Sequence, residues 1–276
     1  MTKFLAAVAQ LNSQDDVNRN LAKMKELVEE AAAKGCRLIA FPECSHYIGN
    51  DPFSIAEDIP GGRTFTFLAE LARKHHIWIH AGSIYERCPG EKRLYNASFV
   101  LDPEGQLRCK YHKLHLFDVV LDNGPSVKES DRIIPGDRIV TLDTEEIGHC
   151  GLSICYDMRF GEIYRLMTLR GANLLFVPSN FTMNTGKDHW DVLLRARALE
   201  NHCYLIAPAQ IGKKPKFQAY GKAMIVDPWG NVIAKCSDRE CIAIAEIDLD
   251  YVTSVRHQIF TLENRREDIY SLTEKE

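Results

Sequence analysis

Apolar positions recur along this chain in two rhythms that take turns. Residues 3–11 form an almost unbroken apolar run of strand length, after which the chain turns polar. Asp15 or Asp16 can then cap a helix that carries Leu21, Met24, Leu27, Val28 and Ala31 on one stripe. Gly35 ends it, and residues 37–41 read as the next short strand. A helix over 65–75 leads into a strand over 77–83, and strands over 95–101 and 106–113 flank the turn Asp102-Pro103-Glu104-Gly105. Farther on, the pattern predicts strand 149–155, helix 159–170 stopped by Gly171, strand 173–177, helix 188–202 and strand 204–209. A hairpin turns at residues 227–231, and 241–247 supplies the last core strand.

Strands that alternate with helices imply an α/β fold whose sheet faces are covered by helices. No Pro/Gly/Ser linker, repeat or low-complexity tract divides the chain, so residues 1–276 are expected to form one domain. From about residue 256 the chain becomes a polar tail, expected to pack on a neighbouring subunit. The stretch 121–136 is a long loop with Gly, Pro and charges, and long loops in compact domains are often functional.

Composition narrows the classes. Hydrophobic residues make up 45% and charged residues 26%, as in ordinary globular proteins. The formal net charge is −4 without a basic tract, which argues against a nucleic-acid partner. No apolar run approaches the ~20 residues of a membrane span, and the first apolar stretch is too short for a secretory signal. Nine cysteines, an odd number without a C-x-x-C pair, read as reduced thiols in a cytoplasmic protein rather than as disulfides or a zinc site. A Walker-type loop and a G-x-G-x-x-G after a strand are both missing, so no nucleotide cofactor is expected, and no metal is expected either.

Three residues stand where chemistry can occur. Cys155 closes the apolar run GLSI and opens the polar CYDMRFGE (155–162), so its thiol can project beside the N–H groups of a following helix. Buried strand-end cysteines are also ordinary small hydrophobes. Ser153 in GLSIC half-matches a G-x-S-x-G elbow, but Cys155 replaces the second glycine, which makes Ser153 an ordinary strand residue. Glu43 follows a strand and a proline in AFPE (40–43), where a carboxylate can serve a thiol as base or remain a loop charge. Lys113 ends an extended run in YHKLHLFD (111–118). If buried it needs a counter-charge, which Glu43 or Glu129 can supply; otherwise it snorkels to the surface.

Taken together, FPE (41–43), YHKLHLFD (111–118) and CYDMRFGE (155–162) resemble the nitrilase, or carbon–nitrogen hydrolase, superfamily. The likeness continues through PSNFTMNTG (178–186), HWDVLLRARALEN (189–201) and YGKAMIVDPWGN (220–231), nearly the whole chain. It implies a four-layer α-β-β-α sandwich, a homodimer or higher homo-oligomer, and no cofactor. It also implies a triad of Glu43 as base, Lys113 as oxyanion stabiliser and Cys155 as nucleophile. Glu129, in VKES (127–130), matches the family's second glutamate, and the backbone N–H of Tyr156 would join Lys113 at the oxyanion.

Within the superfamily the chain most resembles the deaminated glutathione amidase and ω-amidase branch. That resemblance implies a small-molecule amide substrate, a γ-amide of an α-keto acid. Arg159 would hold its carboxylate, with Thr185 near it and Phe181 shaping the pocket. An ion pair of Arg159 with Glu162 or Asp157 is the structural alternative. Gly161, Lys187-Asp188 and SHYIG (45–49) depart from the branch's pattern and are expected around the pocket mouth. An N-carbamoyl amino-acid hydrolase would use the same four residues, and a catalytically idle scaffold is the remaining alternative.

Overall fold

The computed structural model describes residues 3–120 and 127–275. Its first half runs β1 (Lys3–Leu11), α1 (Val17–Ala33), β2 (Cys36–Ala40), α2 (Arg63–His75), β3 (Trp78–His80), β4 (Ile84–Arg87), β5 (Leu94–Leu101) and β6 (Leu107–His112). A short crossing pairs β7 (Asp118–Val119) with β8 (Val127–Lys128) and ends in a 3-10 turn at Glu129–Asp131. The chain continues with β9 (Thr141–Thr144), β10 (Gly148–Leu152), α3 (Gly161–Leu169), β11 (Leu174–Phe176), α4 (Met183–Asn201) and β12 (Tyr204–Ala207). It closes with β13 (Ala209–Lys213), β14 (Gln218–Tyr220), β15 (Met224–Val226), β16 (Val232–Lys235), β17 (Cys241–Asp248) and α5 (Leu249–Arg256).

Two large sheets form among the described residues. The first is ordered β14-β13-β1-β2-β3-β5-β4, with β17 also on β1 and β6 on β5. The second is ordered β16-β15-β12-β11-β10-β9. Strand alternation separates two cores. Phe4, Ala6 and Val8 of β1, with Leu38 and Ala40 of β2, share one core with Cys150, Leu152, Leu174 and Phe176 of the second sheet. The intervening residues Ala7, Ala9, Leu11 and Ile39 pack instead against Leu21, Met24 and Val28 of α1 and Leu68 and Leu71 of α2. On the far face of the second sheet lie Met167 of α3 and Trp190, Leu194 and Ala198 of α4. At Gly151 a Cβ would come within 2.7 Å of Met167 Sδ, so the missing side chain lets α3 approach the sheet. The result is the four-layer α-β-β-α sandwich, in which each buried aliphatic side chain contributes roughly 1.5–3 kcal/mol.

Several boundaries differ from the sequence expectation. Asp16, not Asp15, caps α1 by accepting from the Arg19 N–H at 3.1 Å. The run 204–209 is two strands in different sheets, β12 and β13, split at Pro208, which has no N–H for a ladder. The strand expected over 77–83 stops at His80, because Gly82 turns with φ of 75° and starts β4 on a new course. The helix expected from 159 begins at Gly161, since residues Cys155–Arg159 form a tight 3-10 turn. The helix expected from 188 begins earlier, at Met183. Of the 121–136 loop, residues 121–126 lie outside the described residues. Beyond α5 the tail folds back on its own chain, with Glu274 paired to Arg170 and accepting from the Ile139 N–H at 3.2 Å. All nine cysteines are free thiols. Among the described residues, no helix is long and apolar enough to cross a membrane.

Candidate active site

The segments after β2, β6 and β10 leave the C-terminal edges of the two facing sheets at the same place. After β2, the Phe41 N–H donates to the His80 carbonyl at 2.9 Å, and Cys44 adopts left-handed φ of 52°. Gly82 lies against this bend so closely that a Cβ would sit 2.0 Å from the Pro42 carbonyl oxygen. From β13, Gln210 Nε2 donates to the Glu43 carbonyl at 3.0 Å. The backbone of Glu43 is thus held from both flanks and its side chain enters the interior, 5% exposed.

There it meets Lys113, 2% exposed. Lys113 Nζ donates to Glu43 Oε1 at 2.9 Å and to Glu129 Oε2 and Oε1 at 2.9 and 3.1 Å. Burial works to lower the Lys113 pKa, but Glu129 and then Glu43 outweigh it and hold the ammonium well above the usual lysine value. Glu129 is itself fixed by the Phe117 N–H, which donates to its Oε2 at 2.7 Å. The other oxygen of Glu43, Oε2, accepts from the Asn180 N–H at 2.9 Å.

Cys155 is the first residue of the turn after β10 and has left-handed φ of 49°, a conformation that bulky L-residues avoid and that local structure must over-determine. Its N–H donates to the Pro178 carbonyl at 2.9 Å. Burial pushes its thiol well above the usual range and the Glu43 carboxylate adds to this, while Lys113 and the Asn180 N–H pull the other way. A protonated thiol beside a carboxylate is a nucleophile that needs a base at the moment of attack. Ser153, by contrast, is buried just beyond the end of β10, hydrogen-bonded to the Phe176 carbonyl and the Tyr164 hydroxyl, each at 2.7 Å.

Asp157, fully buried, joins the thiol turn to the lysine segment. Its Oδ2 accepts from Tyr111 Oη at 2.7 Å and the Ile154 N–H at 2.8 Å. Its Oδ1 accepts from the His115 N–H at 2.9 Å and lies 2.8 Å from His115 Nδ1. Glu43, Lys113, Glu129 and Cys155 therefore occupy one buried cluster, carrying two carboxylates, one ammonium and one thiol.

A second group lines one side of it. The Arg159 guanidinium lies 5.8 Å from the Tyr156 ring centroid and 5.4 Å from that of Phe181, with His189 Nδ1 at 3.3 Å. Neither Glu162 nor Asp157 pairs with it, and no other carboxylate does among the described residues. Phe181 is buried against Trp190. Thr185 stands in the first turn of α4, with its hydroxyl 3.2 Å from that of Thr182.

Sequence reasoning missed three side chains here. Asn96 of β5 donates from Nδ2 to Glu43 Oε1 at 2.9 Å and to Glu129 Oε1 at 3.4 Å. Its signal is a lone amide inside the apolar strand LYNASFVL. Asp157 was visible only as an ion-pair partner for Arg159, and Gln210 was not singled out. In SHYIG (45–49), Ser45, His46, Tyr47 and Ile48 are all buried. Lys187 and Asp188 are exposed on α4.

Comparison with known proteins gives a consistent result. The profile of the family described as Carbon-nitrogen hydrolase matches residues 5–257. The nitrilase and fragile histidine triad fusion protein NitFhit of Caenorhabditis elegans is 41% identical over 98% of this chain, which spans 62% of that protein's length. The crystal structure of the C. elegans NitFhit protein superposes with a TM-score of 0.91 at 40% identity, covering 99% of this chain and 67% of that one. A deaminated glutathione amidase of Synechocystis is 39% identical over 96% of this chain and 99% of its own length. An omega-amidase NIT2 of Xenopus tropicalis is 38% identical over 100% of this chain and 99% of its own length.

Proposed function

Because this chain belongs to the carbon–nitrogen hydrolase family, we propose that it is an amidase that cleaves a linear amide through a thioester on Cys155. The substrate is a γ-amide of an α-keto acid, of the kind exemplified by deaminated glutathione or 2-oxoglutaramate. The observation that carries this is the buried Lys113 ammonium, held between Glu43 and Glu129 beside a protonated thiol.

The chemistry divides one difficult step into two. Glu43 takes the proton from Cys155 as sulfur attacks the carbonyl carbon. The developing oxyanion meets Lys113 and the Tyr156 N–H, and donors of this kind are typically worth about 10²–10³ in rate each. Glu43 passes its proton to the leaving nitrogen, the C–N bond breaks, and the amine departs. Glu43 then takes a proton from water, whose oxygen attacks the thioester. The acid leaves and the thiolate recovers its proton. Glu129 orients Lys113 through its two hydrogen bonds. Arg159, beside Phe181 and without a carboxylate partner among the described residues, suits the carboxylate of the α-keto acid, with Thr185 on the same side. The chain works as a homo-oligomer, which exposed apolar side chains of its tail, Ile269 and Tyr270, support.

Purified protein and its Cys155→Ala variant should be assayed on 2-oxoglutaramate, deaminated glutathione and a carbamoyl amino acid, following ammonia, released amine and 2-oxoglutarate. Cys155-dependent release of 2-oxoglutarate is expected, and the ratio between the first two substrates identifies the preferred amine. Turnover of the carbamoyl compound alone would overturn the substrate assignment and keep the mechanism. Silence on all three by folded protein would sink the amidase proposal.

A further inference from the structure

Asn96 lies 1% exposed in the middle of β5, opposite Tyr85 in the register, where a polar side chain has no packing advantage. Its Nδ2 aims both hydrogens at carboxylates, Glu43 Oε1 at 2.9 Å and Glu129 Oε1 at 3.4 Å. Its Oδ1 is buried without a partner. Turning the amide over would face that oxygen against two carboxylate oxygens, so the network itself assigns the orientation. The same residue's main-chain carbonyl accepts the Lys113 N–H at 3.0 Å. One residue thus touches both glutamates by its side chain and the lysine by its backbone.

We infer that Asn96 is a positioning residue that decides which oxygen of Glu43 serves the thiol, an assignment that rests on the amidase chemistry proposed above. Glu43 Oε1 accepts from both Asn96 and Lys113, which occupies it and fixes the plane of the carboxylate. Oε2, bonded to the Asn180 N–H, is left as the oxygen that takes the proton. A second ammonium in place of Asn96 would compete with Lys113 for the carboxylates, and a third carboxylate would add repulsion. A neutral double donor does neither. It keeps the Glu43–Lys113–Glu129 charges in register.

The test uses Asn96→Leu, which removes both donors at similar volume, and Asn96→Asp, which can donate only while protonated. Two readouts are taken against pH: turnover of whichever amide the wild type accepts, split into kcat and KM, and alkylation of Cys155 by iodoacetamide, which needs no substrate. Asn96→Leu is expected to lower kcat about 10- to 100-fold with KM within about threefold, and to move the acid limb of the profile to higher pH. The alkylation profile should shift with it. Asn96→Asp should be weakest at high pH and recover part of its rate as pH falls, a rescue that a merely structural role would not produce. Should Asn96→Leu fail to fold, the acid rescue of Asn96→Asp decides alone. Unshifted profiles in folded variants, or a KM effect with kcat intact, would overturn the inference. If the wild type turns over no amide yet the alkylation profile shifts as expected, the amidase proposal falls and the positioning role stands.

Discussion

Ile39 and Glu43 are neighbours in the chain and about equally buried, 0% and 5% exposed, yet they sit in interiors built on opposite principles. Ile39 belongs to the apolar cluster between the first sheet and α1 and α2, where packing shape matters most. Glu43 belongs to the seam where both sheets end, with Lys113, Asn96, Asp157, Gln210 and Lys214 also buried. There each polar group is held by specific partners, because a buried charge without one is costly. The apolar layer tolerates small errors, since losing a methyl group loses only its contacts. The polar seam does not, since removing one partner strands another. The first kind of interior is forgiving of small changes, and the chemistry proposed for this protein belongs to the second, where the loss of one partner is costly.

The largest break in that contrast should come from Lys113→Met. With the ammonium gone, Glu43 and Glu129 face each other with only Asn96 between them, and one must take up a proton or swing out. Urea unfolding is expected to show a loss of about 3–5 kcal/mol, as for breaking a buried pair. Turnover should fall by at least about 10²–10³ with the oxyanion partner removed. A variant as stable as the wild type would mean that pairing is not what holds the seam.

Ile39→Val should be milder, costing about 0.5–1.5 kcal/mol with kcat and KM unchanged. A kinetic effect from this side of the sheet would show that the two interiors are mechanically coupled.

The smallest effect sharpens the comparison. His46 is fully buried with neither ring nitrogen partnered, and burial pushes its pKa down to about 3. Its folded value lies below the unfolded one of 6.5, so the stability it permits is present above about pH 6.5 and is lost as pH falls toward 3. His46→Leu leaves no stranded group and should keep the melting temperature near pH 7.5 within a few degrees. It should also flatten the decline of that temperature between pH 6.5 and 4. An unchanged slope would place the acid sensitivity elsewhere, with the similarly depressed His80 the next group to replace.

How far the sequence can be read follows the same divide. The helical stripe of α1 and the apolar run of β1 were legible, because local periodicity decides which side of an element is buried. Glu43, Lys113 and Cys155 were legible as strand-end residues and through three separated motifs, and Glu129 only through the family likeness of VKES (127–130). Asn96 was not, since its two partners lie on other segments and no local spacing announces them. Pro208 sat in plain view inside an apolar run, but only the assembled sheets show that the chain crosses from one to the other there.

The sequence alone determined the alternation of strands and helices and the layered α/β class, because these depend on residue type and near-neighbour spacing; it was a family likeness that singled out Glu43, Lys113, Glu129 and Cys155 together. The tertiary structure alone decided that two carboxylates share one lysine, that Asn96 and Asp157 tie their segments together, and that Arg159 has no carboxylate partner among the described residues. Those are relations between groups distant in the chain, and they exist only once two sheets have been packed face to face with their ends aligned.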